Sequence, residues 1–132
     1  MTLHGNPEQH IGILRETIVA LVRSDGPDLS ARQLAVLLTV YLGEGPHTVR
    51  GLAADLNVSK PAITRALDRL GELDLARRKV DPADRRSVLV QRTPKGSSFL
   101  QDLQRIMTEA AKAAGETKIL PAAAEAPALR AV

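Results

Sequence analysis

The stretch TVRGLAADLNVSKPAITRALDRL, residues 48–70, decides the fold. Thr48 and Ser59 each precede apolar residues at helical spacing, and both residue types cap helix N-termini. Asn57, between the two predicted helices, tolerates the left-handed conformation common at a helix end. Pro61 fits the first turn of the second helix. The stretch therefore predicts two helices joined by a tight turn, which is a helix-turn-helix motif.

The sequence after this motif alternates in the manner of strands. A basic run ends at Val80, DPAD at residues 81–84 has turn composition, and Val88 and Val90 alternate with polar neighbours. We predict a two-stranded β-hairpin that forms the wing of a winged helix-turn-helix, turning between Asp81 and Arg86.

Amphipathic helices are predicted on both sides of this module. One covers residues 8–23, a second begins after Ser30, and another covers residues 95–115. Their apolar stripes are Ile11, Leu14, Ile18, Leu21 and Val22; Leu34, Leu37, Leu38 and Tyr41; and Phe99, Leu103, Ile106 and Ala110. The fold class is mainly α with a small β-hairpin.

We predict one domain, residues 8–115, because 132 residues suit a single core. The stripes of helices 8–23 and 95–115 are hard to bury within one short chain, so we expect these helices to form a homodimer. Residues 1–7 are predicted to be flexible, and the Ala/Pro-rich residues 116–132 to form a disordered tail.

Composition excludes several classes of function. The chain has no cysteine, which removes thiolate metal sites and disulfides. Its three histidines, His4, His10 and His47, are scattered, and no catalytic or metal-binding spacing is present. We therefore expect no enzyme activity, no metal and no cofactor. No apolar run is long enough to span a membrane, and no signal peptide is present, so we expect a cytoplasmic protein.

Positive charge is concentrated in the helix-turn-helix and wing. The net charge is only +3, but residues 59–95 hold ten Lys and Arg against five Asp and Glu. A basic segment of this kind suits a polyanion. The residues predicted to bind DNA are Ser59, Lys60, Thr64, Arg65 and Arg69 on the helix and Asp84, Arg85 and Arg86 on the wing.

Two alternatives remain open at these positions. The helical cations also fit the solvated face of a surface helix, with Arg65 paired to Asp68. Arg85 or Arg86 is long enough to enter a narrow minor groove, where Asp84 would hold a guanidinium in position. Asp84 fits an ordinary turn residue equally well.

The segments LAADLNVSKPAITRALDRL and LARRKVDPADRRSVLVQRTPKG resemble the MarR family of bacterial transcriptional regulators. The resemblance runs from about residue 29 to residue 100, and the combination of SKPAITRALDRL, DPADRRSV and TPKG is its most specific part. It departs from the family at Asp74, where a glycine commonly ends the recognition helix. Aspartate tolerates the left-handed conformation, so we expect the fold to survive.

The resemblance implies a homodimer on an inverted-repeat operator in double-stranded DNA, usually acting as a repressor. It implies that Arg86 enters the minor groove, that Asp84 orients the Arg86 side chain, and that Arg85 contacts a phosphate. It also implies release by a small phenolic or lipophilic effector. The pocket residues would be Leu14, Ile18, Tyr41 and Phe99, although core packing explains these equally.

The rival function is a winged-helix adaptor that binds protein, since fold alone does not determine function. An adaptor gains nothing evident from ten basic residues in this segment, whereas DNA binding uses them and should depend steeply on salt. We expect DNA binding.

Overall fold

A computed structural model describes residues 7–116, which form five helices and three short strands. The elements in chain order are α1 (Pro7–Arg23), α2 (Ala31–Leu42), β1 (His47–Thr48), α3 (Val49–Leu56), α4 (Lys60–Glu72), β2 (Ala76–Asp81), β3 (Asp84–Arg92) and α5 (Pro94–Glu116). The predicted fold class is confirmed. The flexible N-terminus predicted over residues 1–7, His4 and the tail predicted over residues 116–132 lie outside the described residues, except that residues 7 and 116 are helical.

Side-chain caps set the helix starts, as the sequence predicts. The Ser30 hydroxyl accepts from the Gln33 amide, and the Gln33 side chain accepts in return from the Ser30 amide. Thr48 caps α3 through the Gly51 amide at 2.9 Å. The helix-turn-helix turn uses Asn57 in the left-handed conformation, with φ of 54°. Local chemistry therefore sets the starts of α2 and α3 and the turn that follows α3.

The sheet has one strand more than the predicted hairpin. Strands β2 and β3 form the antiparallel wing, and β1 adds to the other edge of β3 in the order β1-β3-β2. Two residues, His47 and Thr48, make this third strand, pairing with Val90 and Leu89. A strand of two residues is too short to show periodicity in the sequence. It forms only because it pairs with a distant strand. It attaches the wing to the start of α3.

One core cluster holds the helix-turn-helix and wing together. Leu37, Leu52, Ile63, Leu70 and Leu75 are its largest fully buried side chains. The apolar stripe of α4 is buried as predicted, whereas α2 buries Val36 and Val40 and leaves Leu34 and Leu38 half-buried. The core fixes which face of α4 remains exposed.

The described chain divides into two compact units. One is Gly26–Asp102, which contains α2 to β3 and the first turns of α5. The other comprises α1 and the part of α5 from Leu103 onward, where the Gln9 amide donates to the Ala114 carbonyl at 3.4 Å. Most of the predicted stripe of α1 is exposed in the single chain: Ile11, Leu14, Ile18 and Val22 are 64%, 51%, 47% and 69% exposed. The buried residues of α1 are instead Ile13 and Thr17.

None of the helices within residues 7–116 is both long enough and apolar enough to cross a membrane.

Candidate nucleic-acid interface

The recognition helix, α4, separates a buried apolar face from an exposed polar face. Ser59 caps it by accepting from the Ala62 amide at 3.2 Å, so its side-chain oxygen has a structural use whether or not it meets DNA. Lys60 and Arg65 are exposed, and Thr64 is half-buried between them. Because Lys60 lies in the first turn, its ammonium adds to the positive end of the helix dipole. This end of α4 is suited to an anion.

Asp68 carries the one carboxylate in the middle of this exposed face. Its carboxylate accepts a hydrogen bond from the Arg78 guanidinium of β2 at 2.5 Å. It does not pair with Arg65, the partner that the sequence suggests. Arg65 has no ion pair with any described residue. The Arg65–Asp68 pair is therefore wrong as a structural explanation of Arg65, and Asp68 links the recognition helix to the wing.

The wing, residues 76–92, presents its cations around a tight turn. The Asp84 carboxylate accepts from the backbone amide of Arg86 at 3.1 Å and lies 3.8 Å from that residue's Nε. Asp81 accepts from the Ala83 amide at 2.9 Å. Asp84 therefore shapes the turn, and its carboxylate also lies beside the Arg86 guanidinium. The side chain of Arg86 is 94% exposed at the tip.

Not all of the basic segment is available to a polyanion. Arg77 pairs with Asp74 at 3.1 Å and Arg69 with Glu72 at 3.4 Å. Arg92 donates to the Val40 and Gly43 carbonyls at the end of α2 and lies 5.7 Å from the Tyr41 ring centroid. Internal partners therefore relieve much of the repulsion that the charge count suggests, and Arg92 is a helix cap.

Three of the remaining cations, Lys60, Arg78 and Arg86, line one open groove between the start of α3, the start of α4 and the wing, about 610 Å³ in volume. We call it the basic groove; its lining is Thr48, Val49, Arg50, Lys60, Thr64, Arg78, Asp84, Arg86, Ser87 and Val88. Four predicted site residues, Lys60, Thr64, Asp84 and Arg86, meet there. Ser59, Arg65, Arg69 and Arg85 are not part of its lining.

Arg50 is a lining residue to which sequence reasoning assigned no role. It is exposed in the first turn of α3, outside the basic segment counted from residue 59. A helix-turn-helix brings the start of its first helix near the start of its second. The motif alone could therefore have indicated that Arg50 lies near the predicted site residues of α4. Arg78 lies in the basic run that ends at Val80, and the sequence gives it no separate role.

The four residues predicted for an effector pocket fall in different units. Leu14 and Ile18 belong to α1 and are about half exposed, whereas Tyr41 and Phe99 belong to the other unit. Tyr41 is buried in the core cluster, and Phe99 is packed against that cluster. Core packing is therefore enough to explain why both positions are aromatic. Within residues 7–116, no group of His, Asp and Glu side chains could hold a metal ion.

Solved structures share this architecture. The transcriptional regulator Tm0710 from Thermotoga maritima is 24% identical, with a TM-score of 0.68, over 84% of this chain and 77% of its own. MarR is 28% identical, with a TM-score of 0.60, over 80% and 78%. S. aureus MepR, in a complex with DNA, is 20% identical, with a TM-score of 0.58, over 77% and 75%. No curated protein matches the chain by sequence.

A family model described as the MarR family matches residues 27–87, from before α2 to within the wing. Over this span, a little under half of the 132 residues, the chain is similar to the MarR family. MarR-family proteins are non-enzymatic DNA-binding transcriptional regulators, and this is the class of the chain. The matched span includes the entire basic groove except Val88.

Proposed function

We propose that the chain is a sequence-specific repressor that places α4 in the major groove of double-stranded DNA and the wing in the adjacent minor groove. The observation that carries this is the basic groove, in which side chains from α4 and the wing tip face one shared space. The fold likeness to MepR, solved in a complex with DNA, supports the same arrangement. Because such a protein acts on the chromosome, we propose a cytoplasmic location.

We propose that side chains in the middle of the exposed face of α4 contact the bases. Thr64 and Arg65 lie about one turn beyond the helix start, where side chains reach base edges, while Ser59 and Lys60 suit phosphate contacts at the helix N-terminus. Arg69, further along, would contact a phosphate by exchanging its exposed partner Glu72 for it. On the wing, Arg86 enters the minor groove with Asp84 beside it, and Arg85 binds phosphate.

The exposed face of α1 supports a homodimer. Four large apolar side chains, at positions 11, 14, 18 and 22, each leave about half or more of their surface uncovered. An isologous partner would remove this surface from water, at about 25 cal/mol per Å² of apolar area. The operator is then an inverted repeat with half-sites about 34–36 Å apart.

Release by a phenolic or lipophilic effector is the regulatory part of the proposal. Such a ligand would have to prefer one spacing of the two recognition helices over another.

Selection of bound sequences from random duplex DNA tests the function. We expect an enriched motif with two-fold symmetry, which would establish specific binding and the dimer together. Recovery of no motif, even at low salt, would contradict the proposal and favour a protein-binding adaptor.

Arg65 and Lys60 are predicted to differ in what they contribute. Arg65→Ala should weaken binding to the selected operator by about 1–3 kcal/mol and relax the sequence preference, because a base contact is lost. Lys60→Ala should weaken binding to all duplexes alike, because phosphates are the same in every sequence. Equal losses on all sequences for Arg65→Ala would make Arg65 a phosphate contact.

Asp68→Asn is predicted to strengthen non-specific binding. It removes a negative charge from the exposed face of α4 and leaves Arg78 without its partner, so attraction to phosphates rises. We expect several-fold higher affinity for a random duplex and a salt dependence steeper by about one unit. The free energy of unfolding should change by only about 0–1 kcal/mol, because both partners are partly exposed. Unchanged or weaker binding to random duplex would contradict this.

A further inference from the structure

Arg50 shares the basic groove with three other cations, each from a different element. Arg50 comes from α3, Lys60 from α4, Arg78 from β2 and Arg86 from β3, against the single carboxylate of Asp84. Like charges gathered in a concavity repel one another and concentrate a positive potential within it. An anion seated in the groove would relieve that repulsion.

Arg50 itself is not explained by the fold. Its side chain has no hydrogen bond or ion pair among residues 7–116 and is exposed, so it stabilises neither α3 nor the wing through such a contact. Arg78 and Arg86, by contrast, each face a carboxylate. Lys60 and Arg50 are therefore the two lining cations free to neutralise an incoming charge. Hydroxyl groups of Thr48, Thr64 and Ser87 line the same space and can donate hydrogen bonds.

The proposed function dictates which anion comes to this place. A major groove and the minor groove next to it are divided by one sugar-phosphate strand. If α4 occupies the first and the wing the second, that strand passes between them, and the space between them is the basic groove.

We propose that the basic groove receives a phosphate of this dividing strand and that Arg50 binds it. This inference rests on the proposed function. It adds a contact from the first helix of the helix-turn-helix, so that α3, α4 and the wing hold the strand from three sides. The contact is to the backbone and is independent of base sequence.

Arg50→Ala tests the inference, with Arg23→Ala as the control. Arg23 is an exposed arginine at the end of α1, in the other unit, and its removal makes the same change in net charge. Fluorescence anisotropy at several salt concentrations should show Arg50→Ala binding both operator and random duplex about ten-fold more weakly. The slope of log K against log salt should fall by about one. Arg23→Ala should stay within about two-fold of the wild type, and Arg50→Lys should keep the wild-type slope.

Duplexes that each carry one neutral methylphosphonate linkage locate the contact. We expect one linkage, between the bases read by α4 and the minor groove protected by the wing, to weaken wild-type binding about ten-fold and to leave Arg50→Ala binding unchanged. Equal affinities of Arg50→Ala and Arg23→Ala would overturn the inference while leaving the proposed function intact. So would a linkage effect that persists in Arg50→Ala. A wild-type protein that binds no duplex at low salt would instead overturn the proposed function.

Discussion

Replacing Gly96 with alanine is expected to lower the free energy of unfolding by about 3 kcal/mol or more and the Tm by roughly 10 °C. Gly96 is buried in the first turn of α5, and an added Cβ there would overlap the Tyr41 hydroxyl and the Leu75 carbonyl oxygen. It would also lie 2.5 Å from the Tyr41 ring carbon that bears the hydroxyl. Backbone and a rigid ring surround the site, so neither can move away cheaply.

The overlap falls on a buried hydrogen-bond network, which enlarges the effect. The Tyr41 hydroxyl donates to the Leu75 carbonyl at 2.6 Å and accepts from the Thr93 amide at 2.9 Å. The Thr93 hydroxyl donates to the Asp74 carbonyl at 2.6 Å and accepts from the Gly96 amide at 2.9 Å. Displacing Tyr41 would leave buried polar groups unpaired, each costing about 1–3 kcal/mol.

Gly12→Ala is the matched control, because it makes the same substitution inside α1 with no atom within 4 Å of the new Cβ. It should raise stability by up to about 1 kcal/mol, since alanine is the better helix former. Thermal unfolding of both variants at one protein concentration compares them. A Gly96→Ala protein as stable as Gly12→Ala would show that the first turn of α5 is not held against Tyr41.

The network also positions the DNA-binding elements. Asp74 and Leu75 follow the recognition helix directly, Thr93 follows the wing, and Tyr41 belongs to α2. The Tyr41 hydroxyl thus ties the segment after α4 to the segment after β3. The sequence indicates Tyr41 as a core residue or, through the resemblance, as a pocket residue. It does not reveal the hydrogen-bond network, because the partners of the hydroxyl lie 34 and 52 positions away.

Features that depend on neighbouring residues were predictable from the sequence. The caps at Ser30, Thr48 and Ser59 and the left-handed Asn57 are decided within three or four residues. Asp74 is also left-handed, with φ of 57°, as expected for the residue where the MarR family commonly has a glycine. These features define the helix-turn-helix, which is why the family resemblance and the fold agree.

Features that depend on distant residues were not predictable in the same way. Strand β1 exists only because β3 returns beside it, and Arg92 caps α2 from about fifty positions away. The pairing of Asp68 with Arg78 depends on how the wing folds back on α4. Charge counting finds the basic segment, but only the three-dimensional arrangement shows which cations keep their charge uncompensated, and it adds Arg50.

Arg86→Ala is expected to weaken binding to the selected operator by about 1–3 kcal/mol without lowering the Tm. The side chain is 94% exposed, so its removal leaves no cavity. In a narrow minor groove the negative potential is enhanced, and an arginine there gains more than one at an open phosphate. The loss should therefore be largest on operators whose flanks, under the wing, are A·T tracts. Titration of operators that differ only in these flanks measures it.

Asp84 and a lysine variant separate a groove contact from a general charge effect. Arg86→Lys keeps the charge but lacks the planar guanidinium, so it should recover non-specific binding more fully than the preference for A·T flanks. Asp84→Ala should weaken operator binding less than Arg86→Ala. It should add little in the double variant, because Asp84 acts through the Arg86 amide and guanidinium. If Arg86→Ala binds all flanks with the same proportional loss, Arg86 contacts phosphate, and sequence reading is confined to α4.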